Sequence, residues 1–115
     1  MQLNEIACKL QLEPWLVDIS LDKEVKGGYA SDLISDVIAH AQEGDLWITL
    51  QTHQNTVAVA SMKELAAIVL VGGREPEPQT LEKAKDESIP LLVTPLPAFE
   101  LIGRLYELGL SGLRE

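Results

Sequence analysis

Three short apolar runs in the chain are each followed by polar or glycine-containing residues and then by a segment with helical spacing. The runs cover residues 46–50, 66–71 and 91–93, and the segments after them open with QTHQN, GGRE and TPLP. Alternation of this kind is typical of a parallel sheet whose strands are joined by helices. Ligands of such sheets bind outside the carboxyl ends of the strands. The pattern therefore predicts where a ligand would bind, without naming it.

Further elements are predicted on both sides of these runs. In chain order they are a helix over residues 3–10, a strand over 15–20, an edge strand over 25–29, a helix over 33–41, a helix over 53–65, a helix from Pro78 and a last helix from Pro97. Asn4 is expected to cap the first helix and Ser31 the second, because short polar side chains accept hydrogen bonds from free N–H groups. Gly44 is expected to end the second helix in a left-handed conformation.

The continuously apolar run at residues 66–71 indicates a strand covered on both faces. We therefore predict an α/β fold, with a mostly parallel sheet of about four to five strands and helices on both faces. Residues 1–110 are expected to form one domain, since about 100 residues suffice for a self-sufficient core. Residues 111–115 are expected to be a loose tail.

Charge and cysteine content restrict the partners. The 115 residues include 18 acidic and nine basic side chains, for a formal net charge of −9, which repels nucleic acid and anionic lipid. The apolar runs are far shorter than the roughly 20 residues that span a bilayer. A single cysteine and the lack of a secretion signal predict a cytoplasmic protein. Cys8 lies among the apolar positions of its helix and is expected to be a buried, inert thiol.

Several common chemistries lack their signatures. The segment GGREP at residues 72–76 has no Lys-Ser/Thr pair, so it does not form the phosphate loop of a kinase. No G-x-G-x-x-G pattern follows a strand. His40 and His53 are not at the spacing of paired metal ligands, and we assign no metal site and no catalytic residue.

The polar residues after the three runs should meet at one edge of the sheet, because crossovers of one hand carry the carboxyl ends of parallel strands to the same side. The candidate ligand-binding residues are Thr52, His53, Asn55, Gly72, Gly73, Arg74 and Thr94. Glycines allow close backbone approach, and an arginine binds phosphate or carboxylate through two parallel hydrogen bonds. This set predicts an anion site. In the alternative interpretation, Thr52 caps a helix, the glycines form a turn and Arg74 pairs with Glu75 or Glu77.

Two further groups contain titratable side chains. His53 in the first turn of a helix should be neutral and could act as a base, but no second titratable group stands at a spacing that would orient it. Asp32 and Asp36 lie one helical turn apart, and we interpret them as a solvated helix face.

The last helix carries more apolar surface than one sheet face can cover. Its apolar residues extend over an arc of about 180°, whereas a surface helix needs an apolar stripe of about 100°. We expect Leu101 and Leu108 to be left for a second copy of the chain, giving a twofold homodimer. The intrachain alternative is coverage by the first helix or by Leu110 and Leu113.

Four extended segments together resemble a stand-alone DRTGG-domain protein over about residues 1–110. They are GGYASDL at 27–33, GDLWITLQTH at 44–53, GGREP at 72–76 and LPAFELIGRLY at 96–106. DRTGG domains are similar to the middle region of long bacterial phosphotransacetylases and to the N-terminal domain of HPr kinase, and they accompany CBS pairs. Some small members are encoded near iron-only hydrogenase subunits. The five letters of the family name do not occur literally in this chain.

The resemblance implies a regulatory role, and three functions remain open. The first is a non-catalytic, ligand-sensing homodimer that binds a small anion, a nucleotide or another phosphate-containing ligand at the carboxyl ends of the strands. The second is a small enzyme of phosphate or acyl chemistry, with His53 as base and Arg74 as anion clamp. The third is a ligand-free adaptor for a protein partner such as a hydrogenase or a metabolic enzyme.

Overall fold

The computed structural model describes residues 1–113, which form an α/β fold with five helices and one five-stranded sheet. The elements are α1 (Leu3–Leu10), β1 (Glu13–Pro14), β2 (Gly27–Ala30), α2 (Ile34–His40), β3 (Asp45–Thr49), α3 (Asn55–Lys63), β4 (Ala67–Leu70), α4 (Pro78–Glu87), β5 (Leu91–Val93) and α5 (Ala98–Glu107). The strand order is β1-β5-β4-β3-β2. Strands β2 to β5 are parallel, and β1 pairs antiparallel with β5. The predicted fold class is confirmed.

Strand β4 lies at the centre of the sheet, as its apolar sequence predicts. Ile68, Val69 and Leu70 are fully buried, and alternate side chains enter two separate cores. Helices α2, α3 and α4 cover one face. Strands β2 to β5 follow one another across the sheet in chain order, so crossovers of the same hand place the connecting helices on the same face. Helices α1 and α5 cover the other face.

The sequence pattern misplaces several helix ends. Helix α1 begins at Leu3, and Asn4 is not its cap. The N–H groups of these two residues donate to the carbonyl oxygens of Lys23 and Leu21, at 2.8 and 3.0 Å, so the following loop replaces a side-chain cap. Gly44 is left-handed, with φ of +82°, but it lies in the turn into β3, four residues beyond the end of α2.

The predicted strand over residues 15–20 is wrong. Only Glu13 and Pro14 pair with β5, and the last sheet-like bond runs from the Trp15 N–H to the Leu91 carbonyl at 2.8 Å. Strand β5 has three residues, so it offers no partner to a longer antiparallel strand. Residues 15–20 form turns instead, and Val17 is 90% exposed.

Cys8 is exposed, which corrects the expectation of a buried thiol. The buried residues of α1 are Leu3, Ile6 and Ala7, whereas Cys8 lies outside this stripe. Within residues 1–113, no helix is long and apolar enough to cross a membrane.

Helix α5 buries one of the two residues that were expected to face a second copy. Leu101 is fully buried within its own chain, and Leu108 is partly buried. The exposed apolar side chains of α5 are instead Phe99 and Tyr106, at 90% and 61% exposure. Their positions leave an apolar surface on the helix, but a different one from that predicted.

The end of the described chain runs beside β2. Leu110 is buried, and the Ser111 carbonyl accepts a hydrogen bond from the Gly28 N–H at 3.3 Å. Arg114 and Glu115, the end of the predicted tail, lie outside the described residues.

Candidate functional site

The turn after β4 is fixed by the loop that follows β5. Gly72 and Gly73 have φ values of +66° and +73°, a conformation that suits glycine. Their N–H groups donate to the carbonyl oxygens of Leu96 and Thr94, at 2.8 and 3.0 Å, and the Arg74 N–H donates to a carbonyl at 3.3 Å. These backbone donors are therefore used within the fold. An anion at this turn would depend on side chains.

Three of the seven predicted residues line one cleft at this edge of the sheet. Gly73, Arg74 and Thr94 are part of the wall of a cleft of about 230 Å³. Its other lining residues are Gln11, Glu13, Trp15, Glu75, Val93 and Pro95. The Thr94 side chain is buried and its hydroxyl oxygen accepts the Leu96 N–H at 3.2 Å, so this threonine shapes the cleft rather than offering it a free hydroxyl.

Arg74 is exposed at the cleft and has no ion pair or hydrogen bond from its guanidinium to any residue in the range 1–113. The alternative in which it pairs with Glu75 or Glu77 is thus not found. Glu77 instead accepts a hydrogen bond from the Thr52 hydroxyl at 3.4 Å. An unpaired arginine is notable in a chain with 18 acidic residues. Its five N–H donors are free for a planar anion.

Thr52, His53 and Asn55 lie elsewhere, in the turn that begins α3. The His53 Nδ1 accepts the Asn55 N–H at 3.1 Å, which places the ring proton of a neutral imidazole on Nε2. The Thr52 carbonyl accepts the Thr80 hydroxyl at 2.6 Å and so joins the starts of α3 and α4. None of these three residues, nor Gly72, lines the cleft.

Sequence reasoning missed the opposite wall of the cleft. Gln11, Glu13 and Trp15 come from the end of α1 and from β1, about 80 residues before Thr94 in the chain. The antiparallel pairing of Glu13 with Val93 brings them there. No spacing in the sequence predicts this pairing, because β1 contributes only two residues to the sheet.

Asp32 precedes α2 and is exposed, and Asp36 lies on α2 and is partly buried. Beyond the solvated face expected of them, both carboxylates also accept hydrogen bonds within the fold. The Asp32 Oδ1 accepts the Thr49 hydroxyl at 2.8 Å and the Leu50 N–H at 2.7 Å. Asp36 accepts the Tyr29 hydroxyl at 2.8 Å and contacts the His40 Nδ1 at 3.1 Å. The Tyr29 hydrogen bond is the largest cause of a lowered pKa for the Asp36 carboxyl, and it raises the pKa of Tyr29.

Comparison with solved structures finds a chain of similar fold whose structure contains a nucleotide ligand. It is the crystal structure of the CBS and DRTGG domains of the regulatory region of Clostridium perfringens pyrophosphatase, complexed with the activator diadenosine tetraphosphate. The TM-score is 0.67 and the identity 18%, over 96% of this chain and 48% of the other. The chain thus spans about half the length of that protein chain, and the likeness establishes a shared fold.

The other comparisons concern sequence alone. None of the curated proteins matches the chain. The DRTGG domain family matches residues 25–108, which include all four parallel strands and every helix except α1. On this match, the chain belongs to the DRTGG domain family.

Proposed function

We propose that this domain is a non-catalytic regulatory module that binds a nucleotide in the cleft lined by Trp15, Arg74 and Thr94, and that it acts as a homodimer. The observation that carries the proposal is that Arg74, whose guanidinium has no partner within residues 1–113, lines the same cleft as Trp15. Guanidinium groups bind phosphate oxygens through two parallel hydrogen bonds. Aromatic rings stack on nucleobases, which is worth about 1–3 kcal/mol per base.

The acidic residues of the cleft favour a nucleotide over a bare phosphate ion. Glu13 and Glu75 also line the cleft, and their carboxylates repel a small anion. A carboxylate accepts hydrogen bonds from ribose hydroxyls, as in dinucleotide-binding folds. A ligand with a base, a ribose and a phosphate therefore uses every kind of group in the cleft. The nucleotide activator bound to the similar pyrophosphatase regulatory region supports this ligand class.

The contacts of the cleft give a route by which binding is passed to the rest of the domain. Gly72 and Gly73 are hydrogen-bonded to the loop at residues 94–96, and that loop leads directly into α5. A ligand that binds Arg74 displaces the turn at Gly72 and Gly73 relative to the loop at residues 94–96. Helix α5 is then the element that reports occupancy to a partner surface.

The dimer surface that we propose joins α5 to the edge strand β2 and to the chain end that runs beside it. Phe99 and Tyr106 on α5 and Leu113 after it are exposed, at 90%, 61% and 83%. An almost wholly apolar groove of about 160 Å³ runs between β2 and α5 and includes Tyr29 and Ile102 in its wall. A strongly acidic chain associates with itself best through such an uncharged surface, since like charges elsewhere oppose contact.

No observation favours the enzyme alternative, in which His53 and Arg74 act together. His53 does not line the cleft of Arg74, and its Nδ1 is used by the start of α3. The adaptor alternative, with a hydrogenase or metabolic enzyme as partner, is an outcome of the ligand experiment below.

The ligand proposal is tested by a thermal-shift series with AMP, ADP, ATP, diadenosine tetraphosphate and inorganic phosphate. A ligand at 100 times its dissociation constant adds about 2.7 kcal/mol to the free energy of unfolding. We expect at least one nucleotide to stabilise the protein, and phosphate alone to do so much less. Binding should also change the fluorescence of Trp15.

Matched arginine variants locate the site. Arg74→Ala should abolish the nucleotide shift and leave the melting temperature of the free protein unchanged. Arg104→Ala is the control, because Arg104 pairs with Glu100 on α5 at 3.3 Å and lies outside the cleft. Equal loss in both variants contradicts the assigned site, and no shift with any nucleotide favours the adaptor.

Sedimentation equilibrium tests the dimer. The monomer mass is 12.6 kDa, so a dimer gives about twice that value. Tyr106→Glu places a charge in the proposed interface and should give the monomer mass. Met62→Glu, at a similarly exposed apolar residue on α3, should leave the dimer intact. A monomer for the unmodified chain at micromolar concentration contradicts the proposal.

A further inference from the structure

Helix α5 carries a stripe of uncharged residues that its own chain leaves largely uncovered. The members of this α5 stripe are Phe99, Ile102, Gly103 and Tyr106, which lie at positions i, i+3, i+4 and i+7 and therefore on one face of the helix. Phe99 is 90% exposed, Tyr106 is 61% exposed, and Ile102 is only partly buried. The side of α5 that packs on the sheet is a different one, marked by the buried Leu101.

Gly103, in the middle of the stripe, is not required by its own chain. It lies inside a helix, where glycine is the least favourable residue after proline. A β-carbon at this position would meet no atom of residues 1–113 within 4 Å. Neither the backbone conformation nor packing within the domain therefore calls for a glycine here. The absence of a side chain does permit the close approach of a second backbone.

We propose that the two α5 helices of the homodimer pack antiparallel across Gly103, so that Phe99 of each copy enters the β2–α5 groove of the other. This arrangement rests on the homodimer proposed above and specifies how the two copies meet. A twofold axis beside the middle of the stripe places Phe99 opposite Tyr106 of the partner subunit. Tyr106 and Ile102 line the apolar groove of about 160 Å³. The exposed ring of Phe99 thus leaves water for an uncharged hollow beside a second aromatic ring.

The charges beside the stripe favour antiparallel over parallel packing. Glu100, Arg104 and Glu107 are exposed on one side of it, and Glu100 pairs with Arg104 of its own chain at 3.3 Å. In a parallel twofold pair each residue meets its own counterpart, so the glutamates at positions 100 and 107 face like charges. Antiparallel packing instead brings Glu100 close to Arg104 of the partner subunit. Opposite charges then meet across the contact, and the dipoles of the two helices point in opposite directions, which is also favourable.

Cysteine cross-linking tests the arrangement in a Cys8→Ser background, in which the exposed native thiol is absent. Phe99→Cys and Tyr106→Cys are made separately, one with an affinity tag, and are oxidised alone and after equilibration as a mixture. We expect a disulfide-linked dimer from the mixture and not from either variant alone. The two residues at position 99 lie about 10 Å apart along antiparallel axes, beyond the Cα–Cα separation of about 4.4–6.8 Å in a disulfide. Linkage of either variant to itself indicates parallel packing and overturns the proposal.

Two leucine variants test the contact at Gly103. Gly103→Leu adds a side chain where its own chain leaves open space, so the circular dichroism spectrum should be unchanged. The dissociation constant of the dimer in sedimentation equilibrium should rise about tenfold or more, because the new side chain overfills a close contact. Asp86→Leu adds the same side chain to an exposed position of α4, on the opposite face of the sheet, and should leave the dimer unchanged.

The outcomes separate this arrangement from the homodimer on which it rests. If the unmodified chain is a dimer that Gly103→Leu does not weaken, or that gives no mixed disulfide between positions 99 and 106, the antiparallel α5 contact is wrong while the homodimer stands. If the unmodified chain is a monomer, both are wrong.

Discussion

Replacement of Asp32 by alanine should weaken the fold measurably, although this residue is exposed. Its Oδ1 accepts two hydrogen bonds, from the Thr49 hydroxyl at 2.8 Å and from the Leu50 N–H at 2.7 Å. The carbonyl of Asp32 also accepts the Gln51 side-chain amide at 3.0 Å, but that bond involves the backbone and survives the substitution. The change therefore removes two bonds to one carboxylate.

The expected loss follows from the surroundings of the two donors. Hydrogen bonds to a charged group contribute about 1.5–3 kcal/mol each when buried, and the lower end applies beside solvent. Thr49 is buried, so its hydroxyl loses a partner that water replaces poorly, whereas Leu50 is exposed and water can reach its N–H. We expect Asp32→Ala to lower the free energy of unfolding by about 2–3 kcal/mol. Asp32→Asn keeps an acceptor oxygen and should lower the free energy of unfolding by about 1 kcal/mol.

Urea unfolding followed by tryptophan fluorescence measures these losses, since Trp47 is fully buried in the native state. Asp86→Ala, at an exposed residue of α4, is the control and should change stability by less than about 0.5 kcal/mol. If Asp32→Ala unfolds at the same urea concentration as this control, the two hydrogen bonds do not hold β3 to the β2–α2 segment and the reasoning fails.

Four further outcomes are expected. In Tyr29→Phe, the pKa of Asp36 should rise towards its ordinary value of 3.8 in an NMR titration. In the unmodified protein, the contribution of this carboxylate to stability is complete above that value and is lost as pH falls through the lowered pKa; an unchanged pKa would contradict this. Gly103→Ala, with open space around the new methyl group, should raise the free energy of unfolding by about 0.5–1 kcal/mol in thermal melts followed by circular dichroism. Gly44→Ala should lower it, because φ is +82° and the β-carbon would lie 2.8 Å from a lysine side chain; equal melting temperatures would refute both effects. Cys8 of the folded protein should react fully with a thiol reagent, and protection until urea is added would contradict its exposure.

The sequence by itself determined the four parallel strands of the sheet and the central position of β4. Residues 66–71 are all apolar, so neither face of this strand is suited to contact with water. This predicts a strand at the centre of the sheet with helices on both faces, which is where β4 lies. Pro78 and Pro97 marked the starts of α4 and α5, because proline has no N–H to lose at a helix start. These features depend on local periodicity and on the backbone chemistry of single residues, both of which are present in short segments of the sequence.

The cleft and the polar contacts were decided only in the tertiary structure. Trp15 lines the same cleft as Arg74 because two residues of β1 pair antiparallel with β5, a pairing that no local pattern encodes. The capping of α1 by loop carbonyls and the two bonds of Asp32 likewise join distant segments. A hydrogen-bond donor can pair with any acceptor of suitable geometry. Which donors and acceptors pair therefore depends on how the packed sheet positions the backbone. The sequence therefore indicated the edge of the sheet at which the candidate cleft lies, and the tertiary structure decided which residues line it.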